Sequence, residues 1–410
     1  MRSTFSGIYV GLSGMRAQQA GLDITGHNIA NANTPGYSRQ RVVLTPNNPY
    51  TVPGLNRPIS PGQIGTGVQV GAIQRVRDQF VETQLRTENA TTGQWQTIQA
   101  GLEKLEMIFN EPSESGISMA LDEFFQALQT LSQRPDDASA RAVVRQSAAL
   151  LTDSFNHVAR QTREYQQELN AELAVKIGTV NQLAEQIADL NQRIVAISVT
   201  GDNPNDLLDQ RDQLIFELSQ LTNISVREQP NASITISIGG STLVDYATVR
   251  RLEVIPATEQ GEMPQLRWEG QGEVTPQITD GAIKGLLELR DHYIPKYKEH
   301  LDNFAKALAH EINEVHNKGY GLGDTYGIEG RKPIDFFVID EDDPRGAAEV
   351  ITLSKDILDS LDAIAAASAP TVGGTDPDSG PGDNQNLLEI INLQHTANIS
   401  SDFYAGIMGE

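Results

Sequence analysis

Residues 169–204 read LNAELAVKIGTVNQLAEQIADLNQRIVAISVTGDNP. In this stretch Leu173, Val180, Ile187 and Ile194 fall seven residues apart. Leu169, Leu183, Leu190 and Ile197 supply the second register. Apolar residues held on a period of 3.5 define the seam of a coiled coil or long helical bundle. Apart from Lys176, the charged and glutamine residues fall off that seam. Upstream, the chain carries no proline after Pro135 until Pro204. The spacing therefore predicts one helix over about residues 137–199, roughly 95 Å long at 1.5 Å per residue. Thr200-Gly201-Asp202-Asn203-Pro204 breaks it, with Asn203 placed to cap the next helix and Pro204 at its first position. Leu207, Leu208, Arg211, Leu214, Ile215, Leu218 and Leu221 then form a stripe to residue 221. The two helices are expected to fold back as an antiparallel hairpin.

On either side the chain is punctuated differently. Residues 3–31 form a second amphipathic pattern: Phe5, Ile8, Leu12, Met15, Leu22 and Ile29 recur on an a/d spacing. Gly7, Gly11, Gly14, Gly21 and Gly26 weaken this helix by up to about 1 kcal/mol each relative to alanine. Such a helix needs a partner. Pro35-Gly36 ends it and suits the centre of a type II turn. Arg41-Val42-Val43-Leu44 is strand-like, but the prolines from Pro46 to Pro61 and the glycines that follow predict an extended or looped segment over 38–73. Helix is expected to resume near Arg75 and run to Pro112, with a shorter one over 117–132. Ile234, Ile236 and Ile238 alternate with polar residues before Gly239-Gly240, a hairpin signal. A returning helix is expected over 281–317, kinked at Pro295. Phe336–Ile339 and Val350–Leu353 are short strand candidates. The fold class is mainly α with a β-insertion (α+β): a long antiparallel helical shaft, a small β-domain and a mixed C-terminal module. The expected divisions are 1–80, 81–225, 226–280, 281–318 and 319–410.

Composition excludes several functions. The 410 residues contain no cysteine, which removes disulfide frameworks, thiolate metal sites and cysteine nucleophiles. No apolar run is long enough to span a membrane, and the first residues lack the apolar core of a cleaved secretory signal. The net charge of −23 argues against binding nucleic acid through a general basic field. That charge is uneven: residues 1–80 hold seven arginines and two aspartates, so they carry +5 while the remainder carries −28.

The search for catalytic or metal-ligating constellations yields little. His310-Glu311 is followed by Glu314, and His316 is out of phase for a zinc-binding pair. His292, His300 and His310 read as solvated face residues of a charged helix. Asp340-Glu341-Asp342-Asp343-Pro344-Arg345 has arginine where a calcium loop needs glycine, and reads as an acidic turn. Asp206, Asp209 and Asp212 surround Arg211 at helical spacing, so local ion pairing and capping account for them. No enzyme activity, cofactor or metal is expected.

One string carries far more information than its backbone requires. Asn28-Ile29-Ala30-Asn31-Ala32-Asn33-Thr34-Pro35-Gly36-Tyr37 resembles the N-terminal motif of the bacterial flagellar axial proteins, the rod, hook and hook-associated proteins. Within that superfamily, Tyr37-Ser38-Arg39-Gln40-Arg41 and Asn205-Asp206-Leu207-Leu208-Asp209-Gln210-Arg211-Asp212-Gln213-Leu214 resemble the hook-associated protein 1 family, as do Gly285–Asp291, Asn313–Tyr320 and Gly382-Asp383-Asn384. The resemblance implies a structural protein at the junction of hook and filament, exported unfolded by the flagellar type III apparatus without a cleaved signal. It implies a ring of like subunits, with hook protein and the second junction protein (hook-associated protein 3) as partners, and no membrane insertion or nucleic acid. The N-terminal helix, with its seam at Phe5, Ile8, Leu12, Met15, Leu22 and Ile29, would pair with a C-terminal helix. Family members end in a long amphipathic helix, which in the family also engages the export chaperone; this sequence stops at Glu410 without it, so a shortened chain lacking that seat is the expectation. Competing readings are a hook or rod protein, against which the long helix before Pro204 argues, a coiled-coil adhesin or scaffold, which leaves Asn28–Tyr37 without explanation, and an enzyme domain on residues 226–280 or 319–410, which offer no nucleophile–base or metal constellation.

Overall fold

The computed structural model describes residues 5–49, 65–109, 116–256, 263–270, 275–322, 334–340, 342–372 and 380–396. The Pro-rich stretch from Tyr50 to Pro61 and the last residues, Phe403–Glu410, lie outside them. The chain is mainly helical with several small antiparallel sheets, and it divides into two compact units.

The first unit comprises residues 1–97, 173–258 and 262–285. It opens with α1 (Ser6–Ala30), then β1 (Gln40–Pro46) and β2 (Val68–Arg75). These strands pair antiparallel from Gln40↔Arg75 to Pro46↔Val68, with a bulge at Val43/Leu44. The strand over Val68–Arg75 corrects the expectation of an extended or looped segment there, while the strand-like reading of Arg41–Leu44 falls within β1. The one glycine of β2 is accommodated by close packing: a Cβ on Gly71 would lie 2.7 Å from the Thr45 side chain. Because Arg75 belongs to β2, α2 starts later than expected, at Gln79, and runs to Phe109. Asp78 caps it, accepting from the Phe80 and Val81 amides.

The long helix, α4, spans Ala138–Ser198, with its 173–198 portion in this unit. Leu173, Val180, Ile187 and Ile194 are buried as the heptad requires. A turn containing Gly201 at φ +88° leads to α5 (Asn205–Leu221). No side chain caps α5; the side-chain amides of Asn203 and Asn205 instead donate to the carbonyl of Ile73 on β2, which corrects the capping role expected for Asn203. Glycines permit close helix approaches here. A Cβ on Gly93 would sit 2.3 Å from the Gln220 carbonyl, and one on Gly285 2.7 Å from that of Gln94. The β-insertion forms a four-stranded sheet of β3 (Ser225–Glu228), β4 (Ile234–Ile238), β5 (Ser241–Asp245) and β6 (Thr248–Val249) in sequential order. β7 (Leu252–Ile255) and β8 (Gln265–Trp268) form a separate pair. Gly239 and Gly240 both have positive φ, the geometry of a type I′ hairpin.

The second unit comprises residues 98–172, 259–261 and 286–410. It includes α3 (Ile117–Gln133) and the 138–172 portion of α4. Helix α6 (Ala282–Glu288) enters it through a π-helical turn, Leu289–Tyr293, followed by α7 (Ile294–His316). Pro295 cannot donate a helical hydrogen bond, and the widened turn immediately before it absorbs the irregularity. Beyond lie β9 (Phe337–Val338), α8 (Ala347–Val350), β10 (Thr352–Leu353), α9 (Lys355–Asp359) and α10 (Gln385–Thr396). β9 and β10 pair antiparallel. The rings of Phe124, Phe336 and Phe337 pack together at 4.9–5.9 Å. His316 is buried beside them. Its Nε2 accepts from the Ala365 amide and its Nδ1 faces the Ile334 carbonyl at 2.7 Å, so the ring ties three segments together. Arg141, also buried, donates to the carbonyls of Pro135, Leu361 and Ile364. Asp383 receives the Ser368, Ala369 and Gln385 amides ahead of α10.

Candidate assembly site at the motif turn

At the C-terminal end of α1 the chain must turn and enter β1. Asn28 organises this turn through both ends of its amide. Its Oδ1 accepts from the Tyr37 hydroxyl (2.7 Å) and the Gln40 amide (2.9 Å), and its Nδ2 donates to the Gln40 carbonyl (2.9 Å). Only a carboxamide can serve both roles at this length. Asn31 donates both its backbone amide and its side-chain amide to the His27 carbonyl and accepts from the Thr34 hydroxyl. The Tyr37 amide bonds back to the Thr34 carbonyl and Gly36 has φ +78°, which completes a type II turn with Pro35 and Gly36 at its centre. A Cβ on Gly36 would also press on Gln213 at 3.0 Å. Ile29, Ala30, Asn33, Thr34 and Pro35 are exposed.

The turn docks on α5. The Ser38 amide donates to Asp209 Oδ2 (2.9 Å) and Gln40 Nε2 to Asp206 Oδ1 (3.3 Å), while Asn205 donates to Gln40 Oε1 (3.2 Å). Thus two motifs separated by about 170 residues are halves of one site. Asp209 and Asp212 are not paired with Arg211, as the helical spacing suggests. They bind Arg75 of β2, at 2.8 and 2.6 Å, and Asp212 also binds Arg77 at 2.7 Å. Burial lowers the Arg75 pKa, but the charges and hydrogen bonds of Asp212 and Asp209 outweigh it and raise the net value. Arg211 turns inward instead, donating to Asn191 Oδ1 on α4 and to the Ala232 carbonyl. Asn191 in turn binds the backbone of Ile234 and Tyr246, so this residue couples the helical hairpin to the β-insertion. Leu207 and Leu208 are half-buried.

Sequence reasoning missed Arg75 and Arg77 as members of the site, and it gave Ser38 and Gln40 only within the stretch that carries the family resemblance. The signal that pointed to the two arginines is the charge contrast, since an arginine-rich segment in an acidic chain needs carboxylate partners elsewhere. Beside the turn lies an open, mostly apolar cleft of about 850 Å³, bordered by His27, Pro35, Tyr37, Leu190 and Leu214. Burial, then the nearby Asp209 and Asp206, push the Tyr37 phenol pKa upward.

The predicted seam of α1 takes no part in these contacts. Phe5, Ile8, Met15, Leu22 and Ile29 are 62–74% exposed, Leu12 is half-buried, and Ala17 is the buried residue of the helix. Among the described residues no group of three or more His, Asp or Glu side chains could hold a metal, and no helix is long and apolar enough to cross a membrane.

The helix and the turn that ends it match a family of flagellar proteins. Residues 8–37 match the family model of the flagellar basal body rod proteins, and residues 102–331 match that of the flagellar hook-associated protein FlgK helical domain. Flagellar hook-associated protein 1 of Bacillus subtilis is 30% identical over all of this chain and 85% of its own length. That of Salmonella typhimurium is 30% identical over 89% of this chain, which spans 66% of that relative. The flagellar hook junction protein FlgK of Burkholderia pseudomallei has the same fold, with a TM-score of 0.55 at 21% identity over 70% of this chain and 66% of that one. The chain belongs to the flagellar hook-associated protein 1 family and is a structural protein of the hook–filament junction.

Proposed function

We propose that the chain joins hook to filament by assembling into a ring of like subunits through α1, with the clamped motif turn fixing the direction of α1 relative to β1 and α5. The exposed apolar seam of α1 is the observation that carries this reading. Five large apolar residues on one stripe are left uncovered, while the turn at the end of the same helix is held by hydrogen bonds and ion pairs. An uncovered stripe of this kind marks an interaction surface. Hook protein and the second junction protein are the neighbours this role calls for, and export through the flagellar type III apparatus is the route that brings the chain there. The role is mechanical and calls for no catalysis. The test is to add purified protein to isolated hooks and examine them by electron microscopy. Decoration of one end, the distal one, is expected; hooks bare at both ends, or coated along their sides, would overturn the reading.

A further inference from the structure

A second cavity of the first unit, about 440 Å³ and polar, lies where β2, α2, α5 and the β-insertion meet. Four arginines line it: Arg75, Arg77, Arg86 and Arg211. Two are satisfied. Arg75 is held by Asp209 and Asp212, and Arg77 by Asp212 and Glu82. The other two are not neutralised. Arg86 donates its Nε to the Glu82 backbone carbonyl, and neither it nor Arg211 forms an ion pair among the described residues. Arg211 is 2% exposed, and its Nε has no hydrogen-bond partner. Glu228, the third carboxylate of the lining, accepts from Gln79 at 3.0 Å.

A buried guanidinium with an unused donor is costly unless something accepts from it. Burial is the largest influence on both residues and lowers the pKa of each. Carboxylates oppose it from beyond ion-pair distance, Glu82 and Asp212 on Arg86, and Asp212 and Glu228 on Arg211. Like charges add to the cost, because Arg75 acts on Arg211 and Arg77 on Arg86. What the cavity lacks is an acceptor bearing negative charge in direct contact with these two forks, and its volume exceeds that of a phosphate or carboxylate group.

We infer that this cavity is a binding site for a small oxyanion, held between the guanidiniums of Arg86 and Arg211. Arginine forks match oxyanions in geometry and form charge-assisted hydrogen bonds with them. The site is separate from the α1 seam and does not depend on the assembly reading.

The test is isothermal titration and thermal unfolding of the full chain with inorganic phosphate, at ionic strength held constant with sodium chloride. One saturable site is expected, with a Tm rise that levels off as the site fills. Arg86→Gln removes one fork and should weaken phosphate binding by roughly 10–100-fold, the equivalent of losing a hydrogen bond to a charged group. Arg86→Lys keeps the charge without the fork and should bind with intermediate affinity, and it stands in if the glutamine variant does not fold. Arg193→Gln, an exposed arginine on α4 outside the cavity, should bind as the parent does. An acetate arm shows whether a planar carboxylate is accepted alongside a tetrahedral anion; binding of either supports the site. No saturable binding of either anion would overturn it. So would a Tm rise that never levels off and is equal in all variants, which is the general effect of an excluded salt.

Discussion

Asn28 shows what one side chain can decide at this junction. Its carboxamide holds Tyr37 and both backbone groups of Gln40, so the end of α1 and the start of β1 are fixed by a single residue. Asn28→Ala should cost about 1–3 kcal/mol, the penalty for leaving such partners unsatisfied. Hydrogen exchange of the Gln40 amide should speed up in the variant. Asp209 and Asp206 offer a sharper contrast three residues apart. Asp209 is buried, accepts from Ser38 and pairs with Arg75, whereas the Asp206 side chain is 71% exposed. Asp209→Ala should destabilise the first unit by about 1–3 kcal/mol, because it leaves the buried Ser38 amide without its acceptor, while Asp212 still holds Arg75. Asp206→Ala should cost under about 1 kcal/mol. Exchange rates at the Ser38 amide, rather than a global melt, separate the two, since a chain of two units need not unfold in one step. The string Asn28–Tyr37 was legible as a motif and its Pro-Gly turn was legible as a turn. The partners were not, because Ser38 and Asp209 meet across 171 residues and nothing local in either segment encodes the other.

At the scale of elements, periodicity was the reliable guide. The heptads placed α4 over about 137–199 and the structure gives 138–198, because a sustained apolar seam leaves one way to bury itself. β2 was illegible for the opposite reason. Gly71, together with the glycines just before the strand, imitates a loop, and only the pairing with β1, where Gly71 lies against Thr45, shows why it is there. The same logic sorts the helix glycines. Gly178 lies in α4, and a Cβ added there would meet nothing within 4 Å, so Gly178→Ala should stabilise by roughly 0.5–1 kcal/mol through helix propensity alone. Gly93 lies in α2 with the Gln220 carbonyl 2.3 Å from where a Cβ would be. Gly93→Ala must push α2 and α5 apart, strain the Asn89 bonds to Phe216 and Ser219, and lower the Tm despite the same gain in propensity. Opposite signs in thermal melts of the two variants check the argument; equal signs would mean the close approach is not what places glycine at position 93.

For the molecule as a whole, the contrast between a +5 segment and a −28 remainder now has a local meaning. Arg75 and Arg77 carry part of that positive charge into Asp209, Asp212 and Glu82, so charge holds the N-terminal segment to α5 and to the start of α2. The apolar seam of α1 is left for something else. Substitutions on the seam should therefore separate folding from assembly. Ile8 and Leu22 are 65% and 74% exposed, so Ile8→Asp with Leu22→Asp removes little burial in the isolated chain. Its helical circular dichroism and Tm should stay near those of the parent, within about 0.5 kcal/mol for each exposed substitution. Binding to the hook end should nevertheless be lost, because two carboxylates would have to be desolvated in the new interface. A control pair at exposed polar positions, Gln18→Asp with Asp23→Asn, keeps the net charge and every apolar residue of the seam and should still decorate hooks. If the seam variant decorates hooks as well as the parent does, α1 is not the assembly surface. If it loses its fold in solution, the seam is already buried in the free chain, and the clamp at Asn28 and Asp209 then holds a helix that has a partner before it reaches the hook.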